Sequence, residues 1–176
     1  RHLIYSRFWH KFLYDLGLVP TSEPYKKRTA QGLILGPDGE KMSKSRGNVI
    51  DPLTVIVDYG ADTLRTYILF MGDYAIECPW NDDAIKGVNR FLDRVYNLKE
   101  RVVEGDFSSS LESQIHKCIK KVSNDIEAMK FNTAIAELMK LVNAYYEKDT
   151  ITTSDYEVLI KLLYPFAPHI TEELNE

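Results

Sequence analysis

Apolar side chains at Ile4, Phe8, Phe12, Leu13 and Leu16 recur every three to four residues, and Gly17 follows them. That spacing predicts a helix over 1–16 with a glycine stop. Residues 20–24, bounded by prolines, predict a loop. Leu33-Ile34-Leu35 ahead of Gly36-Pro37-Asp38-Gly39 predicts a short strand entering a tight turn. Residues 41–48 hold two serines, a glycine, three cations and almost nothing apolar, the pattern of a mobile loop. Asp51-Pro52 predicts an N-cap with proline at the first helical position, and that helix stops near Gly60. A helix over 61–71 then places Leu64, Ile68 and Met71 on one face. Residues 73–80 predict irregular chain, and the domain boundary is placed there.

From Asn81 onward the helical period dominates. Ile85, Val88, Leu92, Val95 and Val102 form one stripe, opened by Asn81 or Asp82 and closed by Gly105. Ser108-Ser109-Ser110 predicts a second start, with Leu111, Ile115, Cys118, Val122, Ile126 and Met129 along one face. Asn132 predicts the cap of a third helix carrying Ile135, Leu138, Val142 and Tyr145. Ser154-Asp155-Tyr156-Glu157 reads as a capping box before Leu159, Ile160 and Leu163. Pro165 and Pro168 interrupt the last segment, which resumes at Thr171. No strand pattern follows residue 80. The expected fold class is mainly α, with a short strand and loop early and an up-down helical bundle after residue 76.

Composition narrows the classes. The 176 residues are 44% apolar and 27% charged, enough apolar surface to offset chain entropy, so a disordered chain is excluded. No stretch approaches the roughly 18 consecutive apolar residues of a membrane helix. Cys78 and Cys118 lie far apart without ligand-spaced partners, so neither a disulfide framework nor a zinc knuckle is supported and a reducing compartment fits. The sequence opens Arg1-His2-Leu3 and ends within a helical pattern, so a piece of a longer protein is expected. Residues 1–50 carry nine Lys or Arg against four Asp or Glu, on a chain of net charge −4. A basic first third on an acidic whole points to a local anion site, and a basic surface without function is the competing reading.

Lys41-Met42-Ser43-Lys44-Ser45 carries the sharpest chemistry. Two lysines three apart on a glycine-flanked loop can converge on one polyanion, with serine hydroxyls and backbone N–H groups as neutral donors. Gly39 and Gly47 permit hinge-like movement. The competing reading is a solvated basic loop.

This segment matches in every letter the second signature of the class I aminoacyl-tRNA synthetases, and the chain resembles that family. Arg46-Gly47-Asn48-Val49-Ile50-Asp51-Pro52 and Tyr59-Gly60-Ala61-Asp62-Thr63-Leu64-Arg65 are similar to the blocks that follow it in the enzymes for large aliphatic amino acids. The flanks resemble the leucyl-tRNA synthetase family: His2 to Lys11, Gln31 to Leu35, Phe70-Met71-Gly72, Phe91 to Tyr96 and Pro165 to Ile170. The likeness is weakest over 106–130. The family's first signature, of His-Ile-Gly-His type, is absent: the histidines are His2, His10, His116 and His169. An insertion that some relatives carry before Glu40 is missing.

The resemblance implies a remnant of an α/β catalytic domain over 1–75 and an anticodon-binding-type helical bundle over 76–176. It implies an ATP-dependent ligase that forms leucyl-adenylate and passes leucine to tRNA(Leu), with the isolated piece inactive. Lys41 and Lys44 would be catalytic, acting on the leaving phosphates, and Lys41, Met42, Ser43, Lys44 and Ser45 would line ATP. His2 would border the leucine or adenylate pocket; a structural helix-face histidine is the alternative. Arg90, Arg94 and Arg101, on one expected helix face, would meet tRNA phosphates. Intrahelical pairing, such as Arg90 with Asp93 or Arg101 with Glu104, competes with that reading. Tyr145, Tyr146 and Trp80 are expected in the core rather than stacked on bases. The implied partners are tRNA(Leu), leucine and ATP with Mg2+. No metal site, no membrane contact, a monomer and a cytoplasmic location are expected. The rival readings are a helical RNA-binding module without activity and a sibling ligase for isoleucine, valine or methionine.

Overall fold

The computed structural model describes residues 2–176 and divides the chain into two compact units, the first ending at Gln31 and the second running Gly32–Glu176. In the first unit, α1 spans His2–Asp15; position 1 of the expected helix lies outside the described residues. Its end is set by Gly17 at φ 71°, where Leu18 N–H bonds Leu13 C=O and Gly17 N–H bonds Tyr14 C=O, both at 2.9 Å. That pair of bonds needs the left-handed backbone glycine adopts freely. The following loop returns to the helix through Glu23, which pairs with Arg7 at 2.6 Å and Lys11 at 2.9 Å. Hydrogen bonds from those two cations hold the Glu23 carboxyl at about 2.

The second unit begins with β1 (Ile34–Leu35), a single 3-10 turn at Lys44–Arg46, α2 (Pro52–Tyr59) and α3 (Ala61–Phe70). Then come β2 (Cys78–Pro79), α4 (Asp82–Asn97) and a 3-10 turn at Leu98–Arg101. β3 (Val102–Val103), α5 (Glu112–Glu127), α6 (Phe131–Tyr146), β4 (Ile151–Thr152), α7 (Thr153–Leu163) and α8 (Pro168–Asn175) complete it. The starts of α2 and α4 follow the expected chemistry. The Asp51 carboxylate accepts Leu53 N–H ahead of Pro52, and the Asn81 side chain accepts the N–H groups of Asp83 and Ala84.

Several boundaries differ from the sequence reading. Residues 73–80 contain β2, which pairs in parallel with β1 in the register Ile34 with Cys78 and Leu35 with Pro79. Two-residue strands are too short to show alternation, and their partners are distant in sequence. A Cβ at Gly32 would come within 2.0 Å of Ile76 C=O, so glycine there admits the returning backbone. β3 pairs in parallel with β4, placing strands beyond residue 80. Val102 therefore leaves the α4 stripe and enters β3. Met129, at φ 59°, lies past the end of α5. Lys130, not Asn132, precedes the first turn of α6. The capping box belongs to Thr152 and Asp155, two residues earlier than expected. α8 begins at Pro168 because proline suits the first helical position.

The larger core gathers Phe91, Val95, Leu98, Ile115, Val122, Leu138, Val142, Leu159, Leu163 and Phe166 from α4 through the start of α8. α5 and α6 make its most extensive helix pairing. A smaller core of Val55, Leu64, Tyr67, Trp80, Ile85 and Val88 lies under the lysine loop. Phe70 and Met139 pack against both, so the loop's platform and the bundle are one continuous body within this unit. The expected mainly α architecture is observed.

Candidate functional site

The turn after β1 sets the loop's base. Gly36 N–H bonds Glu40 C=O at 2.8 Å, and Gly39 N–H bonds Gly36 C=O at 2.9 Å with Gly39 at φ 76°. Leu35 and Lys41 face each other in an antiparallel bridge. From there Met42 turns inward onto the smaller core, while Lys41 and Lys44 are exposed. Among the described residues, neither lysine has a carboxylate partner. The neighbouring cation does: Arg46 pairs with Glu40 at 2.9 Å. Two free ammonium groups thus stand on a loop anchored by an apolar side chain, the arrangement a multiply charged anion requires. The Ser43 and Ser45 hydroxyls lie 2.9 Å apart on the same segment.

The loop is also more tightly tied than its composition suggests. The side-chain oxygen of Asn48 accepts Ser43 N–H at 2.8 Å. Its amide nitrogen donates to the two Asp38 carboxylate oxygens at 3.1 and 3.0 Å, and to Lys41 C=O at 3.4 Å. The Asn48 amide holds the Asp38 carboxyl below the usual carboxylate range, helped by Glu40 N–H. Sequence reasoning missed Asp38 and Asn48, which are ten residues apart. Only the turn signature around Asp38 and a polar residue after Gly47 marked them.

His2 is exposed on α1 in the first unit, among a helix surface that leaves Ile4, Phe8, Trp9 and Phe12 exposed as well. In the second unit the three arginines separate. Arg90 is exposed and makes no ion pair among the described residues. Arg94 and Arg101 instead flank Tyr146, their guanidinium carbons 4.5 and 4.7 Å from its ring centre. Arg94 Nη1 also donates to Asn143 Oδ1 at 2.7 Å and Arg101 Nη1 to Lys148 C=O at 3.2 Å. Arg101 belongs to the 3-10 turn beyond α4, so the expected shared helix face does not extend to it. The expected pairings of Arg90 with Asp93 and Arg101 with Glu104 do not form: Arg90 stays exposed, while Arg101 bonds the chain just after α6. Trp80 packs edge-on against Tyr67 with ring centres 5.0 Å apart, and Tyr145 is fully buried with its hydroxyl donating to Asp155 C=O. Both are core residues, as expected.

His169 bonds Asp62 at 2.8 Å through Nδ1. Burial pushes the Cys118 thiol up to about 12, which makes it an inert core residue. Among the described residues, no group of three or more His, Cys, Asp or Glu side chains converges as a metal cluster. No described helix is long and apolar enough to cross a membrane.

Comparison with known proteins gives this geometry a family. Residues 5–81 match the family of class I tRNA synthetases (I, L, M and V). Residues 109–176 match the anticodon-binding domain of tRNA ligases. The chain is 55% identical to a leucine–tRNA ligase of Alkaliphilus oremlandii over 99% of its own length. It is 50% identical to that of Chlorobaculum tepidum over 98%. The chain spans about a fifth of the length of these curated relatives, 22% in each case. Among solved structures, a leucyl-tRNA synthetase of Agrobacterium radiobacter, in a ternary complex with tRNA and LeuAMS, matches 98% of the chain and 25% of its own. Its TM-score is 0.83 and its identity 36%. A methionyl-tRNA synthetase of Mycobacterium tuberculosis, at TM-score 0.64 and 19% identity over 96% of this chain and 40% of its own, shares the fold. From its lysine loop to its last helix, the chain belongs to the class I tRNA synthetase family, on the leucyl branch.

Proposed function

We propose that this chain is the part of an ATP-dependent leucine–tRNA ligase that carries the phosphate-binding loop and the helices that receive tRNA(Leu). In the activation step a leucine carboxylate oxygen bonds to the α-phosphorus of ATP, and the bond to the bridging oxygen breaks. Pyrophosphate leaves with the electron pair, so negative charge grows on its oxygens. No covalent enzyme intermediate and no strong base are required, and rate comes from alignment and charge stabilisation. Lys44 meets the leaving phosphates and Lys41 adds a second cation. The Ser43 and Ser45 hydroxyls and the backbone at Met42 complete the ATP contact, while the Met42 side chain keeps the loop on its platform. Mg2+ accompanies the triphosphate as part of the substrate. His2 borders the leucine or adenylate pocket in the intact enzyme.

The two exposed lysines, without carboxylate partners among the described residues, on a chain 55% identical to a leucine–tRNA ligase, carry this reading. We assign 1–75 to the end of the catalytic part and 76–176 to the helical part. Arg90, Arg94 and Arg101 meet tRNA phosphates, which positions the RNA without reading its sequence. The protein works as a cytoplasmic monomer, and this piece alone is inactive because it holds only part of the ATP site. The test is leucine-dependent ATP–pyrophosphate exchange by the intact enzyme. Lys44→Ala lowers it about 10²–10³-fold, the effect of losing one donor to a developing oxyanion. Unchanged exchange overturns the reading.

A further inference from the structure

Three features of the lysine loop converge on one side chain that the reaction does not itself use. Asn48 spends its oxygen on Ser43 N–H and its amide hydrogens on Asp38 and Lys41 C=O. These bonds tie Lys41 C=O and Ser43 N–H, on either side of Met42, to the turn at the loop's base. The turn is shaped to let this happen. A Cβ at Gly36 would meet Asp38 Oδ1 at 2.6 Å and Asn48 Nδ2 at 2.8 Å, so the backbone closes directly around the pair. Asp38 is further fixed by Glu40 N–H at 3.1 Å. The Arg46–Glu40 pair satisfies the loop's third cation and its other carboxylate, which leaves Lys41 and Lys44 as the charges directed outward.

The geometry points to Asp38 and Asn48 as positioning residues: a side-chain clip that holds Lys41 and Lys44 in the posture that receives the triphosphate. The clip fixes Lys41 at its carbonyl and Ser43 at its N–H, the two backbone points flanking Met42. An unclipped loop samples many postures, and binding is weakened by the fraction of time the competent one is absent. The effect falls equally on ground and transition states. It therefore appears in the Michaelis constant for ATP rather than in turnover.

This inference rests on the adenylate-forming reading of the loop, and the experiment separates the two. Pyrophosphate exchange with leucine is measured for the intact ligase and for Lys44→Ala, Asn48→Asp and the double variant Asp38→Asn/Asn48→Asp. Hydrogen exchange of the peptide covering 36–48 is followed in parallel. Asn48→Asp sets two carboxylates face to face and opens the clip. The expected result is a KM for ATP raised about tenfold, kcat changed less than about threefold, and faster hydrogen exchange. The double variant places the donor on residue 38 and the acceptor on residue 48, and is expected to recover most of both losses. A merely structural role would lower kcat and speed hydrogen exchange across the whole chain, whereas the clip moves KM and the exchange of 36–48 alone; recovery in the double variant ties the effect to the 38–48 pair. An unchanged or lowered KM in Asn48→Asp, with exchange by Lys44→Ala still lowered, overturns the clip and leaves the activation reading standing. A raised KM that the double variant does not recover also overturns it. Absence of exchange in the unmutated ligase overturns both.

Discussion

Asp62, near the start of α3, reaches α8 at His169: their side chains meet at 2.8 Å, and the second Asp62 oxygen accepts Ile170 N–H at 2.7 Å. One carboxylate therefore caps the last helix from a segment more than a hundred residues earlier. It ties the stretch that follows the lysine loop to the end of the bundle. Only 11% of the Asp62 side chain is exposed against 74% for His169, so the two halves of the contact differ in worth. Asp62→Ala is expected to destabilise the protein by about 1–2 kcal/mol, the cost of a lost cap whose N–H is left partly buried. His169→Ala removes an exposed partner and is expected to cost under about 1 kcal/mol. Urea denaturation distinguishes them, and equal losses would contradict the cap.

Asp155 has no exposure and accepts from Ser108 N–H, Ser108 Oγ–H and Thr152 N–H. The carboxylate links the start of α7 to the chain before α5, across a gap of 47 residues. Asp155→Asn exchanges an acceptor for a donor amid three donors. It is expected to cost about 2 kcal/mol or more, because one N–H pair is left facing another. Equilibrium denaturation provides the measurement, with Glu157→Gln, an exposed helix pair, as the near-neutral comparison.

Acid stability carries a signature of Asp125. Burial works to raise its carboxyl, but hydrogen bonds from Lys121 and Thr133 outweigh this and leave it below the ordinary value. The folded carboxyl thus binds a proton less readily than the unfolded one. Its stabilisation is complete above the unfolded value of about 4 and is lost as pH falls through the lower folded value. Asp125→Asn is expected to lower stability at neutral pH and to flatten the fall below pH of about 4. Parallel curves for the two proteins would show that this carboxylate is not the source.

The arginines are expected to divide by function. Arg90→Ala removes an exposed charge that makes no ion pair among the described residues, and should reduce the salt dependence of tRNA binding by about one unit of log–log slope, with stability unchanged. Arg94→Ala also removes a stack on Tyr146 and a bond to Asn143, and is expected to cost about 1–2 kcal/mol of stability. Filter binding across a salt series, with thermal unfolding of the same samples, checks both.

The lysine loop is legible in the sequence because its chemistry is local: cations, serines and glycines must lie close in sequence to share one short loop. The Asp38–Asn48 clip is not, since an asparagine after a glycine carries no period and its partner is ten residues away. The same contrast runs through the fold. The starts at Asp51 and Asn81 were readable because a cap bonds N–H groups two or three residues on. Thr152 and Ser154 both fit a capping pattern, and only the pairing of β4 with β3 determines where the chain turns into α7. The spacing of Arg101 from Arg90 and Arg94 predicts a shared helix face, but the chain tightens at Leu98 and Val102 enters β3, which takes Arg101 off that face.

Helical periodicity, caps, turn residues and a charged loop are short-range properties, so the mainly α composition and the lysine pair follow from the order of residues. The parallel two-residue strands, the Asp62 cap on α8, the Arg94–Tyr146–Arg101 stack and the Asn48 clip join positions brought near only by packing. Each depends on burial and donor geometry that exist once the two cores have formed.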